Sequence, residues 1–323
     1  MANQKILVTG CAGFIGYHLC RSLLNDDYEV LGVDNMNNYY DKALKVARLE
    51  ILDKHENFNF EKIDISDRNL IAQIFEKFCP NKVVNLAAQA GVRHSITNPY
   101  DYIDANLVGF INIIELCRNN KVEGLIYASS SSVYGDNKKI PFSINDRVNK
   151  PTSLYAATKR SNELIARSYS NLYGLNTTGL RYFTVYGPWG RPDMAYFIFT
   201  EKILNNESIP VFNNGKMKRD FTYIDDIIFG TRSAIDHNYQ NEIFNLGNNK
   251  SENLMDMIHI IEKELNIKAK LDFHPMQAGD IKESFADIDY SKKHLNFNPK
   301  TNLSVGLPEF INWYNKYYKN LIA

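Results

Sequence analysis

A tyrosine and a lysine, Tyr155 and Lys159, stand four positions apart in a segment whose apolar spacing predicts a helix. On a helix this interval places both side chains on the same face. Because an ammonium group beside a phenol favours the phenolate, Lys159 could lower the pKa of Tyr155 and make it a proton acceptor near neutral pH. The same YxxxK spacing occurs at Tyr134 and Lys138, but it runs through the turn sequence Gly-Asp-Asn, and we interpret it as a chance match.

A run of serines, Ser129 to Ser132, follows a short apolar segment and could supply a hydroxyl group to the same chemistry. In a doubly wound sheet, ligands bind at the carboxyl ends of the strands. A serine at such a strand end can hydrogen-bond a substrate oxygen and relay its proton. The chain has no GxSxG segment, which disfavours a serine hydrolase.

A glycine-rich turn, Thr-Gly-Cys-Ala-Gly-Phe-Ile-Gly, follows the first apolar run. Gly10 permits a tight turn, Gly13 lets the backbone approach a pyrophosphate, and Gly16 lets the next helix pack against the strand. The helix that begins with Phe14 and Ile15 offers free N–H groups and a partial positive charge to phosphate. The turn therefore predicts a dinucleotide site.

Residues at the ends of the next three strands indicate which dinucleotide binds. Asp34 lies about 20 residues after the turn, where an acid accepts hydrogen bonds from a ribose 2′-hydroxyl and repels a 2′-phosphate. This position favours NAD over NADP. Asp64 and Ile65 end the third strand, where the adenine would lie. Ala87 and Gln89 end the fourth, where small residues leave room for the cofactor.

The elements that must position these residues alternate between strands and helices. Buried strands are predicted at residues 6–8, 30–33, 58–63, 83–86, 125–128 and 177–182. Helical apolar faces carry Leu44, Ala47, Arg48, Ile51 and Leu52, then Leu107, Phe110, Ile111 and Ile114, and near the end Leu303, Leu307, Phe310, Ile311 and Tyr314. This alternation predicts an α/β fold with a doubly wound parallel Rossmann sheet. We expect a NAD-binding domain over residues 1–180 and a smaller C-terminal α/β substrate lobe over 181–323, with segments after 220 able to return to the sheet.

Composition narrows the function classes. The 323 residues include 37 basic and 37 acidic side chains, so no global field draws the chain to nucleic acid or a membrane surface. No apolar run approaches the ~18 residues of a membrane span, and no signal peptide is recognisable, so we expect a cytoplasmic protein. The four cysteines lack metal-ligand spacing, and we expect them to be reduced and mostly buried, with no metal site.

Together the TGxxGxxG turn, the serine-rich strand end and YxxxK resemble an extended short-chain dehydrogenase/reductase. Residues 32–41, 87–93 and 181–195 narrow the resemblance to the nucleotide-sugar epimerases, and most closely to the UDP-glucuronate 4-epimerases. The resemblance implies a homodimer built from the helices near Leu107 and Tyr155, bound NAD, a UDP-sugar substrate and a place in polysaccharide biosynthesis.

The resemblance also implies roles for individual residues. Tyr155 would be the acid/base, Lys159 its partner on the nicotinamide ribose, and Ser130 the catalytic hydroxyl, with Ser131 and Ser132 as near alternatives. Thr184 and Arg191 would face the sugar, and Arg219 would contact the nucleotide phosphates. Gln277 and Asp280 match a late substrate-loop motif.

In the implied reaction, Tyr155 removes the C4 hydroxyl proton while C4 gives hydride to NAD, and the 4-keto sugar then turns and takes the hydride back on its other face. A uronate would then pass through a β-keto acid, which loses CO₂ readily. A bidentate Arg191 could hold the carboxylate in an unproductive plane.

Three alternatives remain open. One is 4-epimerisation of neutral UDP-hexoses or UDP-N-acetylhexosamines. Another is decarboxylation or dehydration, although those relatives carry an acid in the strand-end motif, where this chain has Ser130, Ser131 and Ser132. The third is a catalytically silent NAD-sensing protein.

Overall fold

The computed structural model describes residues 4–276 and 281–321. Its strands are β1 (Lys5–Thr9), β2 (Glu29–Asp34), β3 (Phe58–Lys62), β4 (Lys82–Asn85), β5 (Gly124–Ser130), β6 (Thr177–Tyr182), β7 (Thr184–Tyr186), β8 (Ser208–Val211), β9 (Lys218–Arg219), β10 (Phe221–Tyr223), β11 (Asn241–Leu246), β12 (Glu252–Asn253), β13 (Lys270–Phe273) and β14 (Glu283–Ser284). Its helices are α1 (Phe14–Leu24), α2 (Lys42–Leu52), α3 (Arg68–Phe78), α4 (His94–Thr97), α5 (Pro99–Tyr102), α6 (Gly109–Asn119), α7 (Leu154–Tyr173), α8 (Ala195–Leu204), α9 (Ile224–His237), α10 (Leu254–Leu265), α11 (Asp289–Leu295), α12 (Leu303–Trp313) and α13 (Lys319–Leu321). Single π-helical segments, Ile103–Val108 and Tyr314–Tyr318, precede α6 and α13.

Seven parallel strands form the central sheet in the order β11-β6-β5-β4-β1-β2-β3. All six predicted strands belong to it, which confirms the doubly wound fold. The chain reverses direction across the sheet between β1 and β4, and this switch point opens a crevice at the carboxyl ends of the strands. β11 pairs in parallel with β6, so a segment after residue 220 contributes to the sheet.

Alternate side chains along the strands pack into two separate hydrophobic cores, one on each face of the sheet. On β1, Ile6 and Val8 pack with α1, α2 and α9, whereas Leu7 packs on the opposite face with α3 and α6. All three β1 side chains are fully buried. Apolar residues on both faces of a parallel strand are typical of a sheet that is covered by helices on each side.

The segments that do not join this sheet form three small sheets above its carboxyl ends. β10 pairs with β7, β9 lies between β12 and β14, and β13 pairs with β8. These pairings place Thr184, at the start of β7, beside Phe221 and close to the end of the central sheet. Within residues 4–276 and 281–321, no helix combines the length and apolar character that crossing a membrane requires.

Candidate active site

A cleft of about 450 Å³ opens at the carboxyl ends of the central strands. Most of the residues predicted to act on a cofactor or a sugar line it. They are Gly10, Gly13, Phe14, Ile15, Gly16, Asp34, Asp64, Ile65, Ala87, Gln89, Ser130, Ser131, Ser132, Tyr155, Lys159, Thr184 and Arg191. Residues from three strands (β2, β5 and β7), two helices (α1 and α7) and the loops that follow the central strands thus converge on one space.

The glycine turn is shaped for close approach of a phosphate. Gly10 has a φ of +74°, and a Cβ there would lie 2.7 Å from the Ala87 nitrogen. A Cβ at Gly16 would overlap the Gly10 carbonyl oxygen. α1 begins at Phe14 with no side-chain cap, so its first N–H groups point toward the turn unmasked. These features fit the pyrophosphate of a dinucleotide.

Asp34, at the end of β2, is held by two neighbours. Its Oδ1 accepts a hydrogen bond from the Met36 N–H at 2.8 Å and lies 3.4 Å from the Nζ of Lys45. Both charged side chains are nearly buried, with 6% and 7% of their surface exposed. Lys45 also lines the cleft, so part of the negative charge expected to repel a 2′-phosphate is compensated. The hydrogen-bonding capacity of Asp34 for a ribose hydroxyl remains.

The adenine side of the cleft is ordered by short polar contacts. Asp64 accepts hydrogen bonds from the Ser66 hydroxyl at 2.7 Å and the Asn35 amide at 2.8 Å. Burial alone would raise the pKa of Asp64, but these donors lower it below its ordinary value. Asp64 is therefore an ionised acceptor that fixes the loop after β2.

Asn106 positions Gln89, and sequence reasoning missed it. Its amide accepts from the Gln89 N–H at 2.8 Å and donates to the Gln89 carbonyl at 3.0 Å and to the Thr158 hydroxyl at 3.1 Å. Asn106 is buried and belongs to the π-helical segment Ile103–Val108. π-Helical turns are often found at functional sites. The spacing of apolar residues in the sequence does not predict this one.

Tyr155 and Lys159 lie on the first turns of α7, which begins after Ser153 accepts a capping hydrogen bond from the Ala156 N–H. Burial raises the pKa of Tyr155, and the Ser130 hydroxyl and the positive charge of Arg191 oppose this rise. Burial lowers the pKa of Lys159 to about 8. Lys159 donates to the Ala128 carbonyl at 2.9 Å, so its ammonium group is tied to β5.

The serine run bends from β5 into a 3₁₀ turn, and all four serines border the cleft. Ser130 accepts a hydrogen bond from the Ser132 N–H, with 3.2 Å between the two hydroxyl oxygens. The Ser129 hydroxyl is bonded to Glu163, to which it donates at 2.6 Å. This split favours Ser130 among the serines, because its oxygen also faces Tyr155.

A buried charge cluster beneath the serines was not predicted. Glu163, one helical turn after Lys159, forms a double hydrogen bond with Arg181 at 2.8 and 2.9 Å. Its pKa, which burial alone would raise, is lowered chiefly by this guanidinium. The cluster fastens α7 to β5 and β6, so it holds Tyr155 and Ser130 in a fixed relation. Its members are ordinary charged residues far apart in the chain, and no spacing signals them.

Arg191 faces Tyr155 across the cleft but is already engaged by a carboxylate. Its Nε and Nη2 donate to Asp193 at 2.9 and 2.6 Å, and Asp193 also accepts from the Tyr39 hydroxyl at 3.0 Å. The Nε–Nη2 edge of the guanidinium that sequence reasoning assigned to a sugar carboxylate is therefore bonded to Asp193. The donors on Nη1 and the second N–H of Nη2 are not used by this pair and could bind another carboxylate.

One predicted residue, Arg219, stands apart from this group. Arg219, on β9, does not line the cleft and donates to the Lys218 carbonyl at 2.8 Å. Gln277 and Asp280 lie outside the described residues. The substrate roles of these three residues stay predictions.

The second YxxxK pair serves the core. Tyr134 is 1% exposed, and its hydroxyl donates to Asn245 at 2.7 Å and accepts from Arg181 at 3.0 Å. Lys138 is exposed and lies just after the turn that follows Tyr134. Tyr134 is therefore a structural residue whose hydroxyl is needed, and it is unsuitable as a neutral control for Tyr155.

Comparison with known proteins assigns the family. The profile of the NAD dependent epimerase/dehydratase family matches residues 6–247. This protein belongs to that family. The match covers the glycine turn, the serine run, Tyr155 and Arg191, so the residues that converge on the cleft are those of a family that uses NAD. The predicted family is confirmed, and with it the class of enzyme.

Members with established substrates are similar over nearly the whole chain. UDP-glucuronate 4-epimerase 4 of Arabidopsis thaliana is 44% identical over 97% of this chain and 76% of its own length. A UDP-glucuronic acid 4-epimerase of Bacillus cereus, solved with UDP-glucuronic acid and NAD, has a TM-score of 0.92 at 34% identity, covering 98% of this chain and 100% of its own. A UDP-glucose 4-epimerase of Thermotoga maritima, solved with UDP-glucose, has a TM-score of 0.90 at 30% identity, with 98% and 100% covered.

Within the two described ranges, no group of three or more His, Cys, Asp or Glu side chains is arranged to hold an ion. All four cysteines are free, and Cys79 alone among them is exposed.

Proposed function

We propose that this protein is an NAD-dependent UDP-glucuronate 4-epimerase that produces UDP-galacturonate. The observation that carries the proposal is the position of Arg191, a cation that faces the proton-transfer residue Tyr155 within one cleft. The identity of the chain to UDP-glucuronate 4-epimerases supports the same substrate.

The residues that would hold NAD fit it along the whole length of the cleft. Gly10, Gly13 and the start of α1 would take the pyrophosphate, Asp34 the adenosine ribose, and Lys159 the nicotinamide ribose. NAD, when bound, supplies the hydride acceptor and donor for the sugar C4. Lys159 would exchange its bond to the Ala128 carbonyl for ribose hydroxyls.

Tyr155 would take the proton of the C4 hydroxyl and return it to the same oxygen after the sugar has turned. Burial raises the pKa of this phenol, and the Ser130 hydroxyl and the positive charge of Arg191 favour its ionisation. Lys159, one turn further along α7, would add a second positive charge when its ammonium group turns toward the phenol. Ser130 would donate its hydroxyl proton to the C4 oxygen and so hold the ring at the correct distance.

The uronate carboxylate would meet Arg191. Asp193 holds the guanidinium plane on the wall of the cleft through Nε and Nη2, and the substrate carboxylate would bind the remaining donors on Nη1 and Nη2. A carboxylate held in this plane stays out of line with the C4 carbonyl, which suppresses loss of CO₂.

The decisive experiment is chromatography of the products that purified protein forms from UDP-glucuronate, UDP-glucose and UDP-N-acetylglucosamine. We expect UDP-galacturonate from the first, without release of CO₂, and at least tenfold slower turnover of the others. Faster turnover of UDP-glucose would assign the neutral-sugar function. That alternative has specific support in the similarity to the Thermotoga maritima UDP-glucose 4-epimerase.

We also propose a homodimer formed by α6 and α7. Apolar side chains stand exposed on and beside these helices, with Leu164 53%, Leu172 69% and Tyr100 79% exposed. Exposed apolar residues grouped in this way are typical of a surface that another chain covers.

The proposed division of the chain places the cofactor mainly on residues 1–180 and the sugar mainly on residues 181–323. Four free cysteines support a reducing, cytoplasmic location.

A further inference from the structure

Arg48 is a fully buried arginine that none of the roles above uses. It lies on α2, with 0% of its surface exposed, among the apolar residues of that helix. Within the described parts of the chain it forms no ion pair with a carboxylate, and its Nε has no hydrogen-bond partner. A buried cation without a counter-charge is costly, so its remaining contacts must account for its presence.

Those contacts connect the cofactor turn to the substrate turn. Nη1 donates to the carbonyl of Ala12 at 2.7 Å, inside the glycine turn. Nη2 donates to the carbonyls of Trp189 and Gly190 at 2.6 and 3.2 Å, the two residues directly before Arg191. One planar group thus spans two loops that lie far apart in the chain, and the glycine turn and the Arg191 turn share a single support.

The turn before Arg191 is one that needs a support. Trp189 has a φ of +61°, a backbone conformation that residues other than glycine rarely adopt. Its ring packs against Tyr317 at 4.5 Å and against Tyr17 and Trp313 at 5.3 Å each. The aromatic contacts fix the side chain, and Arg48 fixes the carbonyl on the opposite side.

Arg48 reaches the Arg191 pair by a second route. Nη1 also donates to the Tyr40 hydroxyl at 2.8 Å. The neighbouring residue, Tyr39, donates to Asp193, the partner of Arg191. Both the backbone of Arg191 and the loop that orients its counter-ion are therefore tied to the same guanidinium.

We propose that Arg48 is a positioning residue for sugar specificity: it sets the place of Arg191 relative to the cofactor turn and so contributes to the preference for a charged over a neutral sugar. This inference rests on the proposed function, in which Arg191 meets the uronate carboxylate. A lysine at position 48 keeps the charge but cannot hold both turns with one rigid fork.

The test measures dissociation constants for UDP-glucuronate and UDP-glucose by titration calorimetry on NAD-saturated protein. The observable is the ratio of the two constants in wild type, Arg48→Lys, Arg191→Ala and the double variant. We expect Arg48→Lys to reduce the preference for the uronate about tenfold, and to have no further effect on the ratio once Arg191 is absent, because residues in one network are not additive. Equal weakening for both sugars, or the same effect of Arg48→Lys in the Arg191→Ala background, would overturn the proposal.

Two further variants keep the test decisive. Arg232→Lys is the control, because Arg232 shares two features with Arg48: it donates to a backbone carbonyl, that of Ser22, and lacks a partner on Nε within the described chain. It differs in being partly exposed and paired with Asp26, and it contacts neither of the two turns. It should leave the ratio unchanged. If Arg48→Lys fails to fold, Tyr40→Phe removes one of its contacts and should shift the ratio in the same direction by a smaller factor; an unchanged ratio there overturns the inference. A ratio unchanged in Arg191→Ala alone would instead refute the proposed role of Arg191.

Discussion

Tyr155 carries the proton transfer in the proposed reaction. Replacing it by phenylalanine removes the hydroxyl but leaves the packing of α7, so we expect NAD content and thermal unfolding close to wild type. Turnover should fall by about 10²–10⁴-fold, the usual contribution of a positioned acid/base. Steady-state assay with UDP-glucuronate measures this loss.

The control for Tyr155→Phe is Tyr173→Phe on the same helix. Tyr173 is 49% exposed, and its ring packs against Arg118 and Tyr169 without relying on its hydroxyl. Its variant should keep full activity. If Tyr155→Phe retained more than about a tenth of wild-type turnover, another group would have to accept the proton.

The variant Arg191→Ala tests whether the substrate is a uronate. Arg191→Ala should weaken binding of UDP-glucuronate by roughly 10–150-fold, as expected for loss of a charge-assisted contact, and affect UDP-glucose much less. The freed carboxylate can align with the 4-keto group, so the variant should also release CO₂ and a 4-ketopentose nucleotide. A binding titration measures the loss of affinity for UDP-glucuronate. Gas or product chromatography measures the release of CO₂ and of the 4-ketopentose nucleotide separately.

Asp193 complicates that experiment, because Arg191→Ala leaves its carboxylate without its partner in the cleft. The double variant Arg191→Ala/Asp193→Asn removes this residual charge. Recovery of UDP-glucuronate binding in the double variant would show that repulsion by Asp193, and not a lost contact, caused the effect.

The sequence identifies single residues well where their chemistry is local. Gly10 and Tyr155 belong to short motifs in which the spacing of the residues itself indicates the chemistry, and both residues line the cleft. Arg48 could be predicted only as a member of a helical face, because its partners are backbone carbonyls, which carry no residue type. Asp193 escaped notice for a related reason: its proximity to Arg191 is visible in the sequence, but whether the pair closes depends on Tyr39, which is distant in the chain.

At the scale of elements, α6 and α7 are the helices for which we propose a partner. Leu164→Glu places a charge on the exposed apolar face of α7, where it would be buried without a counter-charge in a dimer. We expect light scattering to give twice 37.2 kDa for wild type and a single chain mass for the variant. Val305→Glu, at a 58% exposed apolar position on α12, should leave the mass unchanged. A wild-type protein that runs as a monomer would refute the proposed interface.

Periodicity predicted the elements whose apolar residues repeat regularly. The strands of the central sheet and α7 follow from it, with bounds shifted by a residue or two. The spacing of Leu107 and Phe110 predicts one regular helical face, but Leu107 belongs to the π-helical segment Ile103–Val108 and Phe110 to α6. Buried polar bonds of Asn106 favour the wider turn, and such bonds leave no trace in apolar spacing.

At the scale of the whole molecule, His18 links stability to pH. Its Nε2 donates to the Pro188 carbonyl at 2.9 Å, and burial lowers its pKa to about 3. Because the unfolded state takes up a proton below pH 6.5 and the native state does not, stability is lost as pH falls from 6.5 toward 3. The loss reaches about 2 kcal/mol at pH 5, at 1.36 kcal/mol per unit.

His18→Gln retains a donor for Pro188 but cannot titrate, so its free energy of unfolding should fall less steeply between pH 7 and pH 5 than that of wild type. Urea unfolding at both pH values measures the difference. His259→Gln, at an exposed position, is the control. Asp220, whose pKa burial raises to about 6, acts in the opposite direction in all variants and cancels from the comparison. Parallel curves for His18→Gln and wild type would contradict the assignment.

The late return of β11 to the sheet has a consequence for how the chain is made. β6 ends at Tyr182, but its neighbour begins at Asn241, roughly sixty residues later. On a ribosome adding about 5–20 residues per second, the backbone groups along that side of β6 stay uncovered for several seconds while the intervening residues are synthesised. An uncovered strand edge is a template for mispairing with another nascent chain. The segment for which we propose contacts to the sugar is thus also the segment during whose synthesis the sheet is most vulnerable to aggregation.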